Sequence, residues 1–195
     1  MPVLTLIRHA PTLWNERGLI QGHTDIPLSD SGQSSAEAWV LPDEIREAYW
    51  FSSPLQRTRQ TASILGVHAR IDDRLIEMDW GAWEGKSLQE LRDIHGESMK
   101  QNESLGLDFC PPDGESPRMV QARIIPWLQD VGALDYPVAA VTHRGVIRAL
   151  TALATGWDMT GKEIHKLRPG TCRQFCLSAT GQPNLRQPDI SLVME

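Results

Sequence analysis

Cysteine is scarce in this chain. Its 195 residues hold three, Cys110, Cys172 and Cys176, too few and too oddly numbered for a disulfide framework. Cys172 and Cys176 fall in one predicted strand, on one face and about 13 Å apart at roughly 3.3 Å per residue, so they read as small core fillers. No apolar stretch approaches the roughly 20 residues that a bilayer demands. Met1-Pro2 leads into a short strand and a charged pair rather than a signal sequence, so the expected location is the cytoplasm. A basic surplus is missing as well. The net charge of −6 argues against nucleic acid or an anionic membrane as partner. Paired metal ligands are absent too. Apart from His9 and His143, the histidines His23, His68, His95 and His165 are scattered without a close ligand pair, and neither a metal nor another cofactor is expected. With 41% hydrophobic residues and nothing that marks a linker, residues 1–195 are expected to form one domain around one core.

What the chain does have is strands that end in cations. Val3, Leu4 and Leu6 form an apolar run that closes on Ile7-Arg8-His9-Ala10. The carboxyl edge of such a buried strand is where open α/β sheets bind ligands. The arrangement repeats at Val138–Thr142, which ends in His143-Arg144-Gly145 and leads into the helical run Val146-Ile147-Arg148-Ala149-Leu150. A third cation follows the predicted strand Tyr49–Ser52. Ser53 reads as an N-cap and Pro54 as the first helical residue, which puts Arg57 in the opening turn of a helix. Helix N-termini and guanidinium forks both favour phosphate oxygens.

The coarse pattern alternates strand and helix. One helix is capped by Ser29 and stopped at Pro42, and the Arg57 helix ends at Gly66. Two more run over Ser87–Ile94 and from Ser116-Pro117 to about Val131, the latter kinked or interrupted at Pro126. The helix after His143 has Val146, Ala149, Leu150 and Leu153 as its apolar face and Arg144, Arg148, Thr151 and Thr155 as its polar stripe. Antiparallel edge strands are expected near Thr171–Leu177 and Ile190–Val193. The expected fold class is α/β, a three-layer α/β/α sandwich with a mostly parallel central sheet. The polar stretch from His95 to Ser116, with Cys110-Pro111-Pro112-Asp113-Gly114-Glu115, reads as a loop. As part of residues 86–116 it is expected to form a lid or pocket wall that sets substrate choice. Trp14, Trp80 and Trp83 border the motif residues and are expected to shape the pocket.

Several ordered motifs together resemble the histidine phosphatase superfamily. They are Arg8-His9-Ala10-Pro11-Thr12-Leu13-Trp14-Asn15, Gln21-Gly22-His23-Thr24-Asp25 with Pro27-Leu28-Ser29 and Gly32, Ser53-Pro54-Leu55 with Arg57-Thr58 and Thr61-Ala62, Glu77 with Gly81-Ala82-Trp83-Glu84-Gly85, and Thr142-His143. The family includes cofactor-dependent phosphoglycerate mutases and small phosphatases such as alpha-ribazole phosphatase, whose branch this short chain resembles. The likeness implies a phosphoglycerate mutase-like fold and phosphoryl transfer through a phosphohistidine. In that reading His9 is the nucleophile, Arg8, Arg57 and His143 hold the phosphoryl oxygens, and Glu77 is the general acid.

Elementary chemistry agrees with each role. Phosphoryl transfer asks for position and fixed positive potential, a neutral imidazole as nucleophile, and a carboxylic acid kept protonated by burial or by a dianionic substrate. Spacing alone leaves Asp79 and Glu84 as rival acids; the family pattern selects Glu77. The resemblance also assigns Asn15 and Gln21 as amide donors to the phosphate and gives Gly22 the role of leaving backbone room.

Two departures stand out, because family members usually carry glycine after each histidine and this chain has Ala10 and Arg144. Ala10 is tolerable unless that position needs a positive φ. Arg144 is expected to reach a second anionic group of the substrate. The expected activity is metal-independent hydrolysis of a small phosphorylated metabolite. The alternatives are phosphoglycerate mutase activity, which the longer mutases support with inserted segments this chain lacks, and a non-catalytic phosphate-binding or regulatory role. A homodimer through a sheet edge is compatible with the short terminal strands.

Overall fold

Apolar residues alternate between the two faces of a central sheet, and helices cover both. The computed structural model of the chain describes residues 1–163 and 165–193. In chain order the elements are β1 (Val3–Arg8), α1 (Leu13–Glu16), α2 (Asp30–Glu37), α3 (Asp43–Arg46), β2 (Tyr49–Ser52), α4 (Gln56–Ile64), β3 (Arg70–Ile71), α5 (Leu88–Glu103), α6 (Pro117–Gly132), β4 (Val138–Thr142), α7 (Arg144–Thr155), β5 (Thr171–Leu177) and β6 (Pro183–Ser191). The strand order is β3-β2-β4-β1-β5-β6. β1 and β2 flank β4 in parallel and β3 pairs parallel with β2, while β5 and β6 complete the sheet antiparallel. This is the expected three-layer α/β architecture. Leu4, Leu6, Val138 and Ala140 pack on one face with Val120, Ile124, Trp127, Val146 and Leu150 of α6 and α7. Ile7, Ala139 and Val141 pack on the other with Ala36, Ile45, Ala62 and Leu65 around α2, α3 and α4.

Several boundaries differ from those read off the sequence, each for a local reason. The segment after Ser29 is two helices, because α2 ends at Glu37 and Pro42 is the N-cap of α3 rather than a stop signal. Between them Trp39 and Leu41 turn into the core. Helix α4 has Leu55 as its N-cap, with no side-chain cap of its own. The orphan N–H of Gln56 donates instead to Asp25 Oδ1 at 2.7 Å, a cap supplied from a distant loop. Helix α5 runs on to Glu103 through a kink at Gly96, whose φ is 52°, so the first half of the expected His95–Ser116 loop is helical. Pro126 does not interrupt α6. Pro126 and Ala122, whose carbonyl loses its helical donor, are both exposed, so water can satisfy that group. The last strand begins at Pro183 and ends at Ser191, ahead of the expected Ile190–Val193. Thr151 is buried, not part of a polar stripe, and accepts from Arg173 Nη1 at 2.8 Å.

Among the described residues no helix is long and apolar enough to cross a membrane. The three cysteines are free, and burial pushes the Cys172 thiol up to about 12.

Candidate active site

Strand register brings the two histidines together. Arg8 of β1 pairs with Thr142 of β4, and the next residue continues the ladder, His9 N–H donating to the Thr142 carbonyl at 3.0 Å. The following side chains are therefore neighbours, and the His9 and His143 ring centroids lie 5.2 Å apart. His9 Nδ1 lies 2.7 Å from the Ala10 carbonyl oxygen. A carbonyl can only accept, so the proton sits on Nδ1 and the Nε2 lone pair is free. Burial first, and then the cations Arg8 and Arg57, hold the His9 imidazole well below its ordinary pKa. The ring is neutral at physiological pH.

His143 is fully buried at the N-cap of α7. Its Nε2 lies 2.7 Å from Ser53 Oγ, while its Nδ1 meets no protein partner. Burial and the nearby Arg57 lower its pKa as well. Ala10 needs no special backbone. Among the described residues only Asp113 and Met159 are non-glycine positions with positive φ, and the Ala10 N–H donates to Thr61 Oγ1 of α4 at 3.0 Å.

Arg57, in the first turn of α4, is fully buried. It donates from Nη1 to the Thr24 carbonyl at 3.0 Å and from Nη2 to the Gly22 carbonyl at 2.8 Å. Each terminal nitrogen keeps a second N–H. Glu84 holds the loop that supplies these carbonyls, accepting from the backbone N–H of His23 at 2.6 Å and of Thr24 at 2.8 Å, and from the Thr24 hydroxyl. Burial pushes the Glu84 carboxyl upward, but those hydrogen bonds together hold it below the usual range. A Cβ on Gly22 would fall 1.9 Å from Glu84 Oε1. The close approach at Gly22 is thus to the Glu84 carboxylate, and the residue sits behind the cleft.

The cleft itself has a volume of about 630 Å³, and Arg8, His9, Asn15, Gln21, Glu77 and Arg144 line it. Arg57 and His143 are fully buried and do not themselves line it; the His143 ring stands 5.2 Å from that of His9, and the charge of Arg57 reaches His9. Of the three rival carboxyls only Glu77 lines the cleft; Asp79 Oδ1 accepts from Gly81 N at 2.8 Å in a tight turn. Glu77 is 7% exposed and accepts from Met78 N at 2.8 Å and from Gly145 N at 3.3 Å. Gln21 is buried with neither its amide oxygen nor its nitrogen partnered. Asn15 spends its Oδ1 on the backbone N–H and hydroxyl of Thr12, so its NH₂ is the group left over.

Leu88 and Trp80 form part of the apolar wall. Leu88 is thereby the contribution of the 86–116 segment to the cleft. Among the described residues no group of three His, Cys, Asp or Glu side chains is gathered as a metal site.

Two positioning groups escape a reading of the sequence. Arg123 of α6 donates to the carbonyls of Arg74 (2.7 Å), Ile76 (2.7 Å) and Glu77 (2.9 Å), fixing the backbone that carries Glu77. Ser53, read as a helix cap, is instead the partner of His143. A cation set between the core positions Val120 and Ile124 of α6 is the sequence signal for Arg123.

The profile of the histidine phosphatase superfamily (branch 1) matches residues 4–185. Phosphoserine phosphatase 1 of Hydrogenobacter thermophilus is 30% identical over 171 residues, covering 82% of this chain and 79% of that protein. Phosphoglycerate mutase-like protein 4 of Arabidopsis thaliana is 33% identical over 157 residues, 75% of this chain and 68% of that one. Among solved structures, the mycobacterial glucosyl-3-phosphoglycerate phosphatase in complex with VO3 superposes with a TM-score of 0.77 at 26% identity, covering 100% of both chains. With its strand-end histidines side by side and its sequence matched from the first strand to the last, the chain belongs to the histidine phosphatase superfamily.

Proposed function

We propose that the chain, a phosphatase of this superfamily, hydrolyses a small phosphate monoester without a metal, through a phosphohistidine on His9. The observation that carries the reading is the His9 hydrogen bond to its own neighbour's carbonyl: it fixes a neutral ring with a free Nε2 in a corner ringed by Arg8 and Arg57. In the first step the Nε2 lone pair forms a bond to phosphorus, the P–O ester bond breaks, and its electron pair leaves on the ester oxygen, which takes a proton from Glu77. In the second, a water gives a proton to Glu77 as its oxygen bonds to phosphorus. The P–N bond breaks, its pair returns to Nε2, and inorganic phosphate departs.

Arg8 and Arg57 offer N–H donors and fixed charge to the equatorial oxygens. Gln21, Asn15 and the unpartnered His143 Nδ1 supply further hydrogen bonds. Buried polar groups without a protein partner are costly, and a phosphate ester in the cleft would supply such partners.

The test is a panel of phosphate esters in EDTA, with phosphoserine and glucosyl-3-phosphoglycerate included because relatives are named for them, followed by His9→Ala on the best substrate. Turnover that survives EDTA and is lost in His9→Ala is expected. Dependence on added metal, or no turnover of any ester, overturns the reading. Net transfer of phosphoryl between hydroxyls in a coupled assay would assign mutase activity instead.

A further inference from the structure

We infer that the substrate carries a second anionic group, a carboxylate or a further phosphate, and that Arg144 and Arg148 receive it under the control of Glu163. This rests on the phosphatase reading and concerns the part of the cleft that the phosphoryl group does not fill. Arg144 and Arg148 both line the cleft. They stand four residues apart on α7, about 6 Å along the axis at about 1.5 Å per residue and on one side of the helix. Arg144 follows His143 directly, so the pair starts beside the phosphate corner, and the same cleft is lined by Trp39, Pro169 and Gly170.

Among the described residues, guanidinium groups outnumber the carboxylates in close contact with them at this end of α7. Among the described residues the carboxylate within 4 Å of both cleft arginines is that of Glu163, its side chain 8% exposed, at 3.6 Å from Arg144 Nη2 and 3.4 Å from Arg148 Nε. A third guanidinium, that of the fully buried Arg173, stands 3.8 Å from the other Glu163 oxygen. Among the described residues three guanidinium groups therefore stand within 4 Å of one carboxylate, with Glu77 and Asp189 acting on Arg148 and Arg173 from farther away. Arg173 is a structural group, because each of its three guanidinium nitrogens donates within the protein, to the Pro188 carbonyl (2.9 Å), the Thr151 hydroxyl (2.8 Å) and the His165 carbonyl (2.6 Å).

Arg144 and Arg148 have no such commitment. Their contacts with Glu163 are longer than the roughly 2.7–2.9 Å of a charge-assisted hydrogen bond, and Arg148 Nε is buried without a hydrogen-bond partner. The Arg148 guanidinium is kept in place by the Trp157 ring, 5.4 Å from its centroid. With Arg8 and Arg57 meeting the phosphoryl dianion, the surplus positive charge is left for a second anion. Glu163 competes with that anion, so it weakens the binding of any ligand and sets a threshold that only an anionic group passes.

The experiment compares matched esters: O-phosphoserine against O-phosphoethanolamine for the carboxylate, and fructose 1,6-bisphosphate against fructose 6-phosphate for the phosphate. The wild type is expected to prefer the doubly anionic member of at least one pair by 10-fold or more in kcat/KM, and the preferred pair identifies the group. In Arg144→Gln and Arg148→Gln that preference falls to near unity through KM. In Glu163→Gln it rises, a direction that structural damage does not produce.

Equal kcat/KM within both pairs, or a preference unmoved by both arginine substitutions, overturns the subsite while the phosphatase reading stands. Loss of turnover on all four esters and on the wider panel overturns both.

Discussion

Gly145 donates its N–H to Glu77 and leaves no space for a side chain, since a Cβ there would stand 2.3 Å from Glu77 Oε1. Gly145→Ala is expected to displace that carboxyl without unfolding the protein. The expected result is a kcat lowered about 10- to 100-fold with KM little changed, the cost of a misplaced catalytic group; unchanged kcat would separate Glu77 from proton transfer. The His9 ring offers a second residue-level test. Because burial and the neighbouring cations lower its pKa, an NMR titration of the resting enzyme should find it neutral at pH 6.5, and in Arg8→Gln its midpoint should rise toward the ordinary value. A wild-type midpoint near 6.5 contradicts the electrostatic account. Both histidines are legible from sequence because a buried strand must deliver its next residue to the sheet edge. Ser53 is misread as a cap and Glu84 stays a rival acid on spacing alone, because a serine before a proline and a carboxylate near Glu77 have the same local signature whatever they touch across the fold.

At the scale of elements, α6 does more than cover the sheet. Through Arg123 it holds three carbonyls of the segment leading into Glu77. Arg123→Met leaves those carbonyls half-buried without their donor, and a loss of about 1–3 kcal/mol is expected in urea denaturation, with a lower kcat. A variant as stable and as fast as wild type would remove Arg123 from the supporting structure. Strands β1, β2 and β4 are readable because burial on both faces forces continuous apolar runs. β3 and β6 are not: β3 is two exposed residues at an edge, and β6 includes Pro183 and Pro188 and pairs on one side only, so nothing obliges its sequence to alternate. The start of α4 is hidden for another reason. Its first N–H is capped by Asp25 from a separate loop, a partner that no window around Ser53-Pro54 contains.

Across the whole molecule the two buried imidazoles couple stability to pH. Both have folded-state pKa values below the unfolded one, so the unfolded chain binds more protons below about pH 6.5 and stability falls as pH drops through that range. Each contributes about 1 kcal/mol per pH unit until its folded-state midpoint is reached. Urea midpoints measured from pH 7.5 to 5.5 should fall with unchanged m-value, and a flat profile would mean that the rings are charged or solvated in the folded state. An overall charge of −6 surrounds a cleft whose wall carries Arg8, Arg144 and Arg148. The anion is therefore recognised at short range, where low dielectric makes guanidinium groups effective.

The covalent step is the centre of the account and can be observed directly. Wild-type enzyme mixed with a ³²P-labelled ester and quenched in alkali, where phosphohistidine survives, is predicted to carry label on His9, released on acid treatment. The His9→Ala protein is predicted to carry none under the same conditions. Rapid turnover with no trapped label at any quench time, or label that persists after His9 is replaced, would contradict the account.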